Sequence, residues 1–153
     1  MDKFSSVSEN KESHMKNSLL IALLLVSGIT FADSARVSFH QGWIKNLPPV
    51  VPVRAGYIQI KNPGDVPVEI ISLESDLFES VEIHETVMEN GMMKMDALDK
   101  IVLPPKTTVL LKPGEKHIML ITPKFPLAIG DTVNLTVTFN DQKTQTIQLE
   151  VKQ

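Results

Sequence analysis

The sequence contains no cysteine. That excludes a disulfide framework, a thiol nucleophile, a zinc–thiolate site and a blue-copper centre, each of which needs Cys sulfur. Aromatic residues make up only 5% of the chain, with one tryptophan, Trp43, and one tyrosine, Tyr57. Neither sign of charge dominates: 15 Lys+Arg stand against 18 Asp+Glu, a net charge of −3. No basic stretch suggests a nucleic-acid partner and no acidic block suggests a charged tail. No apolar run reaches the roughly 20 residues that cross a bilayer as a helix. No window shows the three-to-four-residue apolar period of an amphipathic helix. The 153 residues correspond to a single domain.

The first part of the chain reads differently from the rest. Leu19 to Ile29 (LLIALLLVSGI) is a short apolar run preceded by Lys16 and followed by Thr30-Phe31-Ala32. Small residues at Thr30 and Ala32 suit a signal peptidase, so a secretory signal cut after Ala32 is expected. Met1 to His14 carry Asp2, Glu9 and Glu12 against Lys3 and Lys11, which is unlike the basic start of a signal. Met15-Lys16 is the better start, and residues 1–32 read as an N-terminal extension plus signal. Residues 33–153 are then the working domain, exported to the periplasm and not inserted in the membrane. It retains 12 Lys+Arg and 15 Asp+Glu, and at this size a hydrophobic core suffices without disulfides.

Within that domain, short β-branched runs alternate with turn residues. Val133 to Phe139 (VNLTVTF) and Ile147 to Val151 (IQLEV) alternate apolar and polar side chains, the period of a half-buried strand. Further strands are expected around Val37–Ile44, Gly56–Ile60, Val66–Leu73, Val81–Val87, Val109–Leu111 and His117–Ile121. Asn62-Pro63-Gly64-Asp65 and Lys112-Pro113-Gly114-Glu115 place Pro before Gly, as a type II turn prefers. Asn90-Gly91 is the strongest short hairpin signal. Pro48-Pro49, Pro104-Pro105 and Pro123 with Pro126 mark loops. Seven or more strands with turns every eight to twelve residues predict an all-β Greek-key sandwich or barrel.

The chemistry concentrates in one stretch. All five methionines after residue 32 (Met88, Met92, Met93, Met95 and Met119) fall between positions 88 and 119. Two of the three histidines there, His84 and His117, bracket or enter the same stretch. A single methionine is ordinarily a core gap-filler, and a single histidine ordinarily lies at the surface, as His40 is expected to do. Neither habit explains a cluster beside the polar Glu89, Asn90 and Lys94. With Asn90-Gly91 as a two-residue turn, Glu89 pairs with Met92, Met88 with Met93, and Thr86 with Met95. His84, Met88, Met93 and Met95 then share one face, with His84 and Met95 diagonal neighbours. Met92 and Glu85 point the other way. His117 and Met119, at i and i+2 of another strand, form a second two-donor clip. Two imidazoles and two thioethers make a neutral, soft set that suits Cu(I) rather than Cu(II), zinc or magnesium. Acid is expected to weaken such binding, because only neutral imidazole is a ligand.

The same four residues resemble the signature of the PCu(A)C-type periplasmic copper chaperones: His, ten residues, Met, twenty-one residues, His, one residue, Met. His84, Met95, His117 and Met119 stand at those spacings. The flanking Val81-Glu82-Ile83-His84-Glu85-Thr86, Asn90-Gly91-Met92-Met93-Lys94-Met95 and Leu111-Lys112-Pro113-Gly114 are also similar to the family. The likeness runs over about Val37 to Val151. It implies a cupredoxin-like fold with a partly exposed site for one Cu(I) ion. It also implies delivery of copper to an accepting protein, chiefly the binuclear copper site of cytochrome c oxidase, or to another copper chaperone. No His- and Met-rich tail follows Val151, so one site per chain is expected, in a non-enzymatic and monomeric carrier. The competing expectations are an exported copper-tolerance buffer and a metal-free structural sandwich.

Overall fold

Strand-forming side chains dictate the architecture seen in a computed structural model, which describes residues 36–153. The expected extension, signal and cleavage point lie outside the described residues. Ten strands are formed and no helix occurs among the described residues. In chain order they are β1 (Ser38–Lys45), β2 (Val53–Asn62), β3 (Val68–Glu74), β4 (Phe78–Glu89), β5 (Met92–Leu98), β6 (Ile101–Leu103), β7 (Thr107–Leu111), β8 (Lys116–Pro123), β9 (Thr132–Phe139) and β10 (Thr144–Lys152). Eight of these match expected runs. Of the other two, β5 follows from the Asn90-Gly91 hairpin, while the three-residue β6 is too short to carry a period of its own.

Seven strands close into a barrel in the order β4–β8–β2–β1–β10–β9–β3, and β3 returns to β4 through Leu73 opposite Val81. Neighbours are antiparallel except β1 and β10, which run parallel. Consecutive strands β2 and β3, and β8 and β9, are not neighbours, so their connections cross the barrel in Greek-key fashion. Closure leaves the seven barrel strands without the open edges that would otherwise pair with another chain. β5 lies along β4, β6 along β3, and β7 along the second half of β2.

Alternation decides what fills the interior. Val133, Leu135, Val137 and Phe139 from β9 meet Ile147, Leu149 and Val151 from β10, all buried. Ile44, Ile58, Ile83, Ile118 and Leu120 complete the core from the other wall. Fully burying each such side chain contributes about 1.5–3 kcal/mol by transfer from water. The intervening residues of β4 and β8, including His84, His117 and Met119, therefore face out of the barrel.

The turns follow their chemistry at two of three sites. Asn90 and Gly91 have φ of 51° and 78°, both left-handed, as a type I′ hairpin requires. Gly114 has φ of 83°, and the Glu115 amide donates to the Lys112 carbonyl at 3.1 Å, closing the expected type II turn. Pro63-Gly64 differs, because Gly64 does not adopt positive φ. There the fully buried Asn62 side chain organises the loop instead. Its Oδ1 accepts from the Gly64 amide at 2.9 Å, and its Nδ2 donates to the carbonyls of Val66 (2.8 Å) and Leu103 (3.0 Å). An Asx turn thus replaces the type II turn because the side chain supplies the bonds that the backbone turn would have made.

Candidate metal centre

The expected hairpin register is the one formed: Glu89 lies opposite Met92, Met88 opposite Met93, Thr86 opposite Met95 and His84 opposite Ala97. Across the other edge of β4, His84 lies directly opposite His117 and Glu82 opposite Met119. Opposed residues of an antiparallel pair project to the same side. Met95, His84, His117 and Met119 therefore share the outer face of the β5–β4–β8 ribbon. His84 is the hub: His117 is its direct cross-strand neighbour, and Met95 and Met119 are diagonal neighbours on its two sides. Directly opposed Cβ atoms are about 4.5–5.5 Å apart and diagonal ones about 7–8 Å, distances that long side chains bridge.

The imidazoles are close and largely shielded. The His84 and His117 ring centroids are 6.1 Å apart and tilted by 35°. The His84 side chain is 13% exposed and His117 is 6% exposed. The His117 Nδ1 lies 3.0 Å from the Glu115 carbonyl oxygen, to which it donates, so its lone pair resides on Nε2. The His84 Nε2 lies 2.8 Å from the Glu82 carboxylate. When Nε2 carries the proton in that bond, the lone pair is on Nδ1, which is buried and has no hydrogen-bond partner. A bare buried acceptor is costly to leave unpaired. Each ring is thus oriented through one N–H by an oxygen acceptor while the other nitrogen keeps its lone pair, the arrangement found around metal-binding histidines.

Glu82 was not expected in this orienting role. Its signal was its position at i−2 from His84 on the same face of β4. Glu85 faces away, as strand parity requires, and pairs with Lys116 at 2.6 Å. His40 is an exposed surface residue whose Nε2 meets Ser38 Oγ at 3.1 Å. Trp43 lies on β1, two strands from β8, and packs on Tyr57 with ring centroids 4.6 Å apart. Burial pushes the Tyr57 phenol above its ordinary pKa, so it stays neutral at physiological pH. A cavity of about 660 Å³ opens beside this aromatic pair, lined also by Gln59, Lys112 and Pro113, and includes none of His84, Met95, His117 and Met119.

Among the described residues, no three His, Asp or Glu side chains gather into a metal-holding group. Met95 is 57% exposed and Met119 is partly buried.

A protein of Rickettsia prowazekii is 31% identical over 121 residues, covering 76% of this chain and 67% of its own. A protein named as a lipoprotein from Leifsonia xyli is 32% identical over 122 residues, covering 79% and 71%. Among solved structures, the copper-bound PCuAC domain from PmoF2 superposes with a TM-score of 0.65 at 23% identity, covering 76% of this chain and 92% of that domain. The solution structure of CuI-DR1885 from Deinococcus radiodurans gives a TM-score of 0.65 at 27% identity, covering 79% and 81%. The barrel is the cupredoxin-like fold of PCuAC domains, as the family resemblance implied. With a family model matching residues 37–151, the chain belongs to the LpqE-like lipoprotein family.

Proposed function

We propose that this protein is a Cu(I) carrier that holds one ion with His84, Met95, His117 and Met119 and passes it to a copper-accepting protein. The observation that carries this reading is the buried, unpartnered Nδ1 of His84, in a ring facing His117 and flanked on the same face by two thioethers. A soft cation would be its missing partner. The donor set is neutral throughout, which favours a monovalent soft ion. The copper-bound PCuAC domain and CuI-DR1885 share the fold and support the choice of metal.

The chain's own residues do the following. Glu82 and the Glu115 carbonyl hold the two rings in orientation before the ion arrives, so little ordering remains to be done on binding. Met95, exposed at the ribbon edge, is the donor that an incoming ligand can displace first. Met119 and His117 share β8 and form the shielded half of the site. Copper remains Cu(I) throughout, and transfer proceeds by exchanging one neutral ligand for another. Export through residues 15–32, a working domain beginning at Asp33, and cytochrome c oxidase as recipient belong to the same proposal. The lipoprotein family supports an exported protein.

X-ray absorption of the Cu(I)-loaded protein tests the ligand set. Sulfur and nitrogen scatterers are expected together at one ion per chain, with sulfur reduced when Met95 and Met119 are both replaced by leucine. A spectrum containing only nitrogen or oxygen, or no uptake under reducing conditions, would refute the reading. Transfer to an acceptor separated by a dialysis membrane should be much slower than in mixed solution, and equal rates would refute the contact step.

A further inference from the structure

Four large apolar side chains stand in solvent at one hairpin tip: Met88 is 68% exposed, Met92 70%, Met93 71% and Met95 57%. Flexible methionine usually fills gaps in cores, but these four fill none. Their neighbours at the tip are Glu89, Asn90, Gly91 and Lys94, all exposed. The fold therefore does not account for them.

Register sorts them. Met88 lies directly opposite Met93, and Met95 is two residues along β5 from Met93. These three share the face that carries His84 and His117. Met92 lies opposite Glu89 and projects to the other face. Opposed Cβ atoms are about 5 Å apart and successive same-face residues of a strand about 6.5–7 Å apart. Three long, flexible thioethers at those separations can converge on one Cu(I) in a trigonal arrangement. Met95 belongs to this group and also to the four-donor site.

We propose that Met88, Met93 and Met95 form an outer, all-thioether Cu(I) position at the hairpin tip, from which the ion moves to and from the inner site about the shared sulfur of Met95. The proposal rests on the Cu(I)-carrier reading and deepens it by naming the route. Burial makes such a route useful: the inner imidazoles are only 13% and 6% exposed, whereas the tip sulfurs are open to a partner. On the inward step the copper–sulfur bonds to Met88 and Met93 break. Bonds form to one nitrogen each of His84 and His117 and to the sulfur of Met119, while the Met95 sulfur stays bound. Every ligand is neutral before and after, no proton is released, and copper keeps its single positive charge. Because Met95 is shared, the two positions hold one ion between them.

Two measurements test this. Cu(I) uptake from a bicinchoninate complex is followed by stopped flow in the unmodified protein, in Met88→Leu/Met93→Leu and in Met92→Leu. The double variant is expected to load about tenfold more slowly, a change in barrier of about 1.4 kcal/mol, with Met92→Leu unchanged. Leucine keeps the volume at these exposed positions, so the fold is undisturbed. Equal rates in all three proteins would overturn the route. Separately, His84→Ala/His117→Ala is expected to retain weak Cu(I) binding with sulfur scatterers alone in X-ray absorption, abolished on adding Met88→Leu/Met93→Leu. If the histidine variant binds no Cu(I) while the unmodified protein binds one ion, the outer position is refuted and the inner site stands. If the unmodified protein binds none, the carrier reading itself fails.

Discussion

Replacing His84 with alanine is expected to lower Cu(I) affinity by at least about a hundredfold, since losing even an outer-shell partner of a metal ligand typically costs 10–100-fold. His84 carries the largest effect because it is the hub of the donor face. It stands opposite His117 and diagonal to both Met95 and Met119, so its loss opens a gap between donors on either side. The fold should survive, because His84 projects outward and its β4 neighbour Ile83 is the one that packs in the barrel. Competition against a Cu(I) chelator under reducing conditions measures the affinity, with the far-ultraviolet circular dichroism of the apo protein as control. A decrease of less than about threefold, roughly 0.65 kcal/mol, would show that the buried Nδ1 faces no metal.

Leu120→Ala is expected to destabilise the apo protein by about 2–5 kcal/mol, as for other large-to-small changes in a closed core. Leu120 is fully buried on β8. A Cβ added at Gly56 would lie 3.2 Å from both Leu120 Cδ1 and Leu149 Cδ2, so the missing glycine side chain is the space these leucines occupy. Truncating Leu120 leaves a cavity that such tightly packed neighbours cannot close. Urea unfolding should show a lower midpoint at unchanged slope, and a loss below about 1 kcal/mol would mean that the wall collapses around the gap. Because β8 also carries His117 and Met119, Cu(I) should restore part of the stability. An ion at 100 times its dissociation constant adds about 2.7 kcal/mol to the native state.

Much of the placement of the His and Met residues was legible in the sequence. The Asn90-Gly91 dipeptide has one favoured conformation between two strands, so it dictated the pairing of Met88 with Met93 and Thr86 with Met95. Strand parity then placed Met92 and Glu85 on the far side, where the structure finds them. Gly114 took its expected turn for the same local reason. Gly64 did not, because Asn62 is drawn into the barrel wall by Leu103, 41 residues away, and such long-range bonds leave no trace in a four-residue window. Glu82 escaped notice because its orienting role depends on the His84 rotamer, which packing sets.

The sequence by itself determined the class of fold and the hairpin register, since alternation and turn chemistry are properties of a residue and its near neighbours. Only the tertiary structure decided that His84 stands opposite His117. That pairing joins two residues more than thirty positions apart in the chain, and its register is set by closing seven strands around one core, where a slip of one residue would turn Ile118 and Leu120 out to water. The same closure decided which ring nitrogens are bonded and left the Nδ1 of His84 buried and bare.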